Sequence, residues 1–168
     1  LEGIKKWIYR FPQQLEMLLE KIADATVFYL QNQIQAGADA VQIFDSWANV
    51  LSKEQFLQFC LPFYKRLIEA VNVPVILFAR SLVFHIEEIK DLPCALSCDW
   101  LMPLPKIRQK TTQTLQGNLD PDLLYAPLDR VRKDTRELLF SMKEDRAFIA
   151  GLGHGVKPDT PVSAVKTM

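Results

Sequence analysis

Residues 73–80 read VPVILFAR, a short apolar run that stops on a polar residue. The same phrase returns along the chain: AVQIF (40–44) ahead of Asp45 and Ser46, CALSC (94–98) ahead of Asp99, TQTLQG (112–117) ahead of Asn118, and AFIAGLG (147–153) ahead of His154. Stretches of helical period lie between the runs. Parallel strands joined by helical crossovers place their carboxyl ends on one side of a sheet, so these polar residues should converge rather than scatter. Convergence of that kind is what an active-site floor needs.

Working outward from the strands, the helical segments follow from spacing. Leu15, Leu18, Leu19, Ile22, Ala25, Tyr29, Leu30 and Ile34 mark a helix over 13–36, which Gly37 should end in a left-handed cap. After a strand at 39–44, Ser52 and Gln55 form a capping-box pair. It opens one helix carried by Phe56, Phe59, Cys60, Phe63, Leu67 and Val71. Strand 73–79 leads to a helix over 82–91 on Leu82, Ile86 and Ile89, and then to strand 94–99. The basic stretch 103–110 reads as a short helix whose Lys106, Arg108 and Lys110 make a solvated face. Strand 112–116 follows, then a brief turn of helix at Asp120-Pro121. Asp129 should cap a helix with Val131, Thr135, Leu138 and Met142 on one face, before strand 147–151 and a last helix opened by Thr160-Pro161.

The alternation predicts an α/β fold of about five strand–helix units with parallel strands, either an open sheet or part of a barrel. A closed eightfold barrel needs roughly 250 residues, so the barrel version is an arc, a partial (β/α)8 TIM barrel. With no repeat or flexible linker in sight, residues 1–168 read as one continuous piece of a single domain. The chain opens on Leu1 and stops at Met168 just after a helix start, and both ends read as cut.

Composition narrows the function. With 49% hydrophobic residues, 168 positions are ample for a buried core. Lys plus Arg and Asp plus Glu are equal at 20 each. This removes the long-range positive field that nucleic acid or an anionic membrane surface would call for, so any anionic ligand must be met locally. No apolar stretch is long enough to span a bilayer, and no basic region followed by an apolar core opens the chain. Cys94 and Cys98, four apart in a strand, would hold their Cα atoms about 13 Å apart, beyond the roughly 7 Å a disulfide tolerates. Free thiols fit a reducing cytoplasm.

The phrases GADAVQIFDSW (37–47), LPFYKRLIEAV (61–71), CDW (98–100), LQGNLDP (115–121), the AP at 126–127 before a helix, and GLGHGVKPDTP (151–161) resemble, in order and spacing, the C-terminal half of uroporphyrinogen decarboxylases. The resemblance implies a (β/α)8 barrel, usually a cytoplasmic homodimer, that converts uroporphyrinogen to coproporphyrinogen in haem biosynthesis by removing four acetate carboxyl groups. It implies a carboxy-lyase with no metal and no prosthetic group. In the family's mechanism, protonation of the pyrrole carbon bearing the acetate creates an electron-deficient ring, which accepts the electrons left by departing carbon dioxide.

By the same resemblance Ser46, in the FDSW-like motif, and His154, in LGHG, are the substrate-contacting residues. Their loops are expected to open on a common cavity as tips of neighbouring strands. Arg80, Asp99 and Asn118 are further candidates for the pocket, although Asp99 serves equally as a cap and an amide such as Gln116 or Asn118 more often organises its own loop. The family's acidic residue, arginine-rich motif and tyrosine belong to its N-terminal half and match nothing here, so the catalytic residue is unknown and this chain alone is expected to be inactive. Gly153 and Gly155 should let the backbone approach a ligand closely.

The chain also departs from the pattern. The family has a small residue, a lysine and a run of glycines after the strand, where this chain reads Ala79-Arg80-Ser81-Leu82-Val83. Losing the glycines removes easy access to positive φ, and Leu82 and Val83 should add bulk near the pocket mouth. Asn49 and Val50 replace small residues, and Gly151 replaces Asn. Two alternatives follow: a degenerate tetrapyrrole-binding homologue, or a cobalamin- or coenzyme M-type methyltransferase of the same superfamily. The latter binds zinc through His-x-Cys and a later Cys, whereas His85 is followed two positions on by Glu87 and His154 by Val156.

Overall fold

The computed structural model describes residues 2–168; Leu1, at the end expected to be a cut, lies outside them. The chain divides into two compact units, one formed by residues up to 41 with 50–75, the other by 42–49 with 76–168.

The first unit is helical, with α1 (Glu2–Arg10), α2 (Pro12–Gln35), α3 (Lys53–Phe59) and α4 (Leu61–Glu69). Pro12 stands at the first position of α2, where a missing N–H costs nothing. Ile8, Leu15 and Phe59 are buried together, with Leu19 and Leu51 packed against them. The predicted cap at the end of α2 is present: Gly37 has φ +105°, and the N–H groups of Gly37 and Ala38 donate to the carbonyls of Ile34 and Gln33, both at 3.0 Å. The capping box is present too, the Gln55 N–H donating to Ser52 Oγ at 3.3 Å and the Ser52 N–H to Gln55 Oε1 at 3.2 Å. The single helix expected beyond it is in fact two, interrupted at Cys60. Pro62 explains the break, since its ring opposes the carbonyl four residues back and it has no N–H to donate. On the surface, Arg66 reaches both Glu20 and Asp24 of α2.

The second unit carries the sheet: β1 (Val41–Asp45), β2 (Val75–Ala79), β3 (Ala95–Ser97), β4 (Leu115–Leu119) and β5 (Phe148–Leu152). Between and after the strands come α5 (Ile86–Ile89), α6 (Leu104–Arg108), α7 (Leu128–Ser141) and α8 (Val162–Thr167). The five strands run parallel in the order β1-β2-β3-β4-β5, with Leu77 opposite Leu96, Leu96 opposite Leu115, and Leu115 opposite Phe148. Strand order that follows chain order without reversal is the winding of a barrel, whereas a doubly wound sheet reverses at a switch point. The fold is therefore α/β with the topology of a barrel arc. Leu77, Ala79, Leu96, Leu104, Ile107 and Leu115 are fully buried at its core. A second cluster of Leu124, Val131 and Ala164 seats α7 and α8 against the chain after β4.

Three local expectations change. Strand β4 starts at Leu115 rather than 112, because the backbone before it is tied up by side chains. Thr111 Oγ1 accepts the Gln113 N–H at 3.2 Å, and Gln113 Nε2 donates to the carbonyls of Leu92 and Cys94 at 2.8 and 3.1 Å. Asp129 lies inside the first turn of α7, paired with Arg132 at 2.6 Å, and Pro127 occupies the cap position. Arg108, expected on a solvated face, is turned inward. Its guanidinium meets Asp145 at 2.7 Å and donates to the carbonyls of Thr111, Gln113 and Ala147 at 2.9, 2.8 and 3.1 Å, around the amino ends of β4 and β5.

All three cysteines are buried, and none is disulfide-bonded among the described residues. Burial pushes the Cys94 thiol up to about 11; burial and then the neighbouring Asp99 push Cys98 up to about 12. Thiolate being the reactive form, aromatic disulfide reagents at pH 8 should label the native chain about a hundredfold more slowly than the urea-unfolded chain. Rapid native labelling would contradict this packing. None of the described helices is long and apolar enough to cross a membrane.

Candidate functional site

The carboxyl ends of the strands assemble one polar rim. At the end of β1, Asp45 Oδ1 accepts the Trp47 N–H at 3.1 Å and its carbonyl accepts the Arg80 N–H at 2.9 Å, which ties the β1 and β2 exits together. Ser46 follows in the turn, half-buried. Beyond Arg80 the chain turns through Ser81 with φ 66°, ψ 14°. The left-handed conformation to which glycines would give easy access is adopted here by a serine. Its N–H donates to Asp99 Oδ2 at 2.6 Å, while Asp99 Oδ1 accepts the Leu101 N–H at 3.2 Å. Leu82 and Val83, expected near the pocket mouth, are 2% and 1% exposed and belong to the core.

At the end of β4, Asn118 Nδ2 donates to the carbonyls of Asp99 and Met102 at 2.8 and 2.7 Å. Gln116 reaches Ser97 at 3.3 Å. Asp99 and Asn118 are thus committed to backbone, buried beneath the rim, and shape the turn that carries Trp100. Gly153 explains the next contact. A Cβ there would lie 2.8 Å from the Trp100 nitrogen and 3.1 Å from Asp99, so the glycine lets the β5 exit press on the β3 exit. The close approach expected toward a ligand is, at Gly153, an approach to protein backbone; Gly155 faces open space.

A cleft of about 420 Å³ opens on this rim, lined by Arg80, Trp100, Asp120, His154, Val156 and Lys157 among others. Arg80 lies over the Trp100 ring with its guanidinium carbon 5.7 Å from the centroid. The His154 ring meets Phe78 edge-on at 5.4 Å, and Phe78 in turn packs against the exposed Phe44 at 5.9 Å. Asp120 caps its own turn by accepting the Asp122 N–H at 2.9 Å, and Asp122 binds Lys157 at 2.6 Å.

Of the sequence candidates, Arg80 and His154 share this cleft. Ser46 stands on the same rim but outside the lining, because β1 and β5 are the two outer strands of the five. The expectation of neighbouring strand tips is corrected accordingly. Trp100, Lys157 and the aromatic pair Phe44–Phe78 were missed. Phe44 could have been found, since strand alternation places it beside neither Val41 nor Ile43, both buried.

The family model of uroporphyrinogen decarboxylase matches residues 1–168. The chain is 46% identical to the uroporphyrinogen decarboxylase of Protochlamydia amoebophila over 170 aligned residues, covering 98% of this chain and 47% of that protein. It is 36% identical to that of Mannheimia succiniciproducens, covering 97% of this chain and 49% of the relative. The chain thus spans about half the length of the curated relatives it matches. Among solved structures, a methyltransferase from Methanosarcina mazei superimposes with a TM-score of 0.86 at 25% identity, over 99% of this chain and 51% of that one. With the family pattern running the full length of the sequence, and its motif residues standing at the strand ends of a barrel arc, the chain belongs to the uroporphyrinogen decarboxylase family.

Proposed function

We propose that this chain is the C-terminal portion of a cofactor-independent carboxy-lyase that removes the acetate carboxyl groups of uroporphyrinogen to give coproporphyrinogen. The observation that carries the reading is the pairing of a cation and an imidazole, Arg80 and His154, on one cleft whose wall includes the Trp100 ring. A tetrapyrrole with carboxylate side chains offers both kinds of surface: a ring face for Trp100, and anions for the polar rim. Ser46 and His154 hold carboxylate side chains, and the residue that meets the cationic ring comes from the N-terminal half of the family's fold. The working enzyme is a cytoplasmic homodimer.

The structural neighbour favours a second reading, a methyltransferase. Thiolate–metal chemistry needs soft ligands gathered around one ion. Cys94 and Cys98 are instead buried with raised pKa values, and no three His, Cys, Asp or Glu side chains gather in a metal-binding arrangement among the described residues. This supports the decarboxylase.

The test is an anaerobic assay of a full-length protein containing this chain. Coproporphyrinogen should form, and His154→Ala should lower kcat/KM by about tenfold to a hundredfold with an unchanged melting temperature. Unchanged kinetics would remove His154 from the site, and methyl transfer without decarboxylation would replace the reading. The 168-residue chain assayed alone should yield no coproporphyrinogen.

A further inference from the structure

We propose that Arg80 is a carboxylate-binding residue of the cleft, held ready by Trp100 beneath it and by the Asp99–Ser81 contact beside it. The inference rests on the functional reading above and adds to it a specific recognition element. Two cations line the cleft, and they are differently committed. Lys157 is neutralised by Asp122 at 2.6 Å and leans toward the Tyr125 ring at 5.7 Å. Arg80 has no ion pair among the described residues, and its side chain rests against the face of Trp100. A guanidinium laid on an aromatic face is supported without using its N–H donors, so the planar fork remains available for a bidentate carboxylate.

The support is built from several elements. The Arg80 N–H is fixed by the Asp45 carbonyl at 2.9 Å, and the next N–H, that of Ser81, by the buried Asp99 carboxylate at 2.6 Å. That second bond falls in a left-handed residue, a conformation side chains other than glycine seldom adopt. Asp99 also shapes the turn that carries Trp100, through its bond to the Leu101 N–H. One carboxylate thus positions both the arginine and the ring it rests on. Arginine, where the resembled pattern has lysine, makes the recognition geometric as well as electrostatic.

The probe is uroporphyrin, the stable oxidised macrocycle with eight carboxylates, titrated by fluorescence into a full-length protein containing this chain, alongside benzene-1,2,4,5-tetracarboxylate measured calorimetrically. Arg80→Met should raise the dissociation constant about tenfold or more and flatten its salt dependence. Arg80→Lys should recover only part of the loss, and Trp100→Leu should cost about threefold, all with circular dichroism and melting temperature unchanged. Equal affinities for wild type and Arg80→Met, or full rescue by lysine, would overturn the proposal. Arg80-dependent binding of the benzene carboxylate without binding of uroporphyrin would keep the carboxylate site and sink the tetrapyrrole reading. Binding of neither ligand would overturn the proposal.

Discussion

Gly117→Ala should destabilise the protein by about 3 to 5 kcal/mol, enough to leave little of a typical domain's stability. The glycine has φ +124°, and a Cβ at this position would sit 2.6 Å from the Cys98 carbonyl oxygen. Both obstacles are backbone. A flexible side chain could swing away, but Cys98 is held by its own N–H bond to the Gln116 carbonyl at 2.8 Å, so relief means parting β3 from β4. Function should suffer with stability, since Asn118 is the next residue and supports the Asp99 and Met102 carbonyls. Urea denaturation measures the effect. Gly155→Ala, with nothing within 4 Å, is the control and should shift stability by less than about 0.5 kcal/mol. A Gly117→Ala midpoint equal to that of the control would mean that the two strands do not approach as described.

Arg108→Met should cost about 2 to 4 kcal/mol. The substitution keeps most of the side-chain stem but strips donors from three carbonyls around the starts of β4 and β5, and leaves Asp145 without its cation. Lysine should restore little, because one ammonium cannot span the positions that a guanidinium fork reaches. Acid supplies an independent check. Burial pushes the Asp145 carboxyl up, but the Ala147 N–H and then Arg108 outweigh it and hold the group below the ordinary aspartate value. A depressed folded-state pKa stabilises the fold above the unfolded value of about 3.9, and this contribution fades as pH falls through the folded value. The gap between wild type and Arg108→Met should therefore narrow below about pH 4. A gap that stays constant into acid would show that the ion pair adds nothing to the carbonyl contacts.

What could be read in the sequence was the chemistry of strand ends. The five apolar runs each close on a polar residue, and Gly37 and the Ser52–Gln55 box are punctuation whose physics is local. What escaped is decided by partners distant in the chain. Arg108 looks like any basic residue on a short helix until Asp145, 37 residues on, comes alongside. Gly153 reads as ligand-facing until the β3 exit is seen against it. Periodicity likewise ran through Cys60 because Phe59 and Phe63 keep a helical spacing that Pro62 interrupts. At the site, the likeness to a family singled out His154, while the cleft around it depends on Trp100 and Lys157, whose roles arise only when loops after different strands meet.

The left-handed serine beyond β2 has a consequence for divergence within the family. Where a glycine run would leave the loop many shapes to choose from, one aspartate eighteen positions downstream selects a single shape for Ser81 and carries that decision to the neighbouring arginine. Such a loop gives up little mobility when an anion arrives, and any drift at Asp99 would free both ends of the arrangement together.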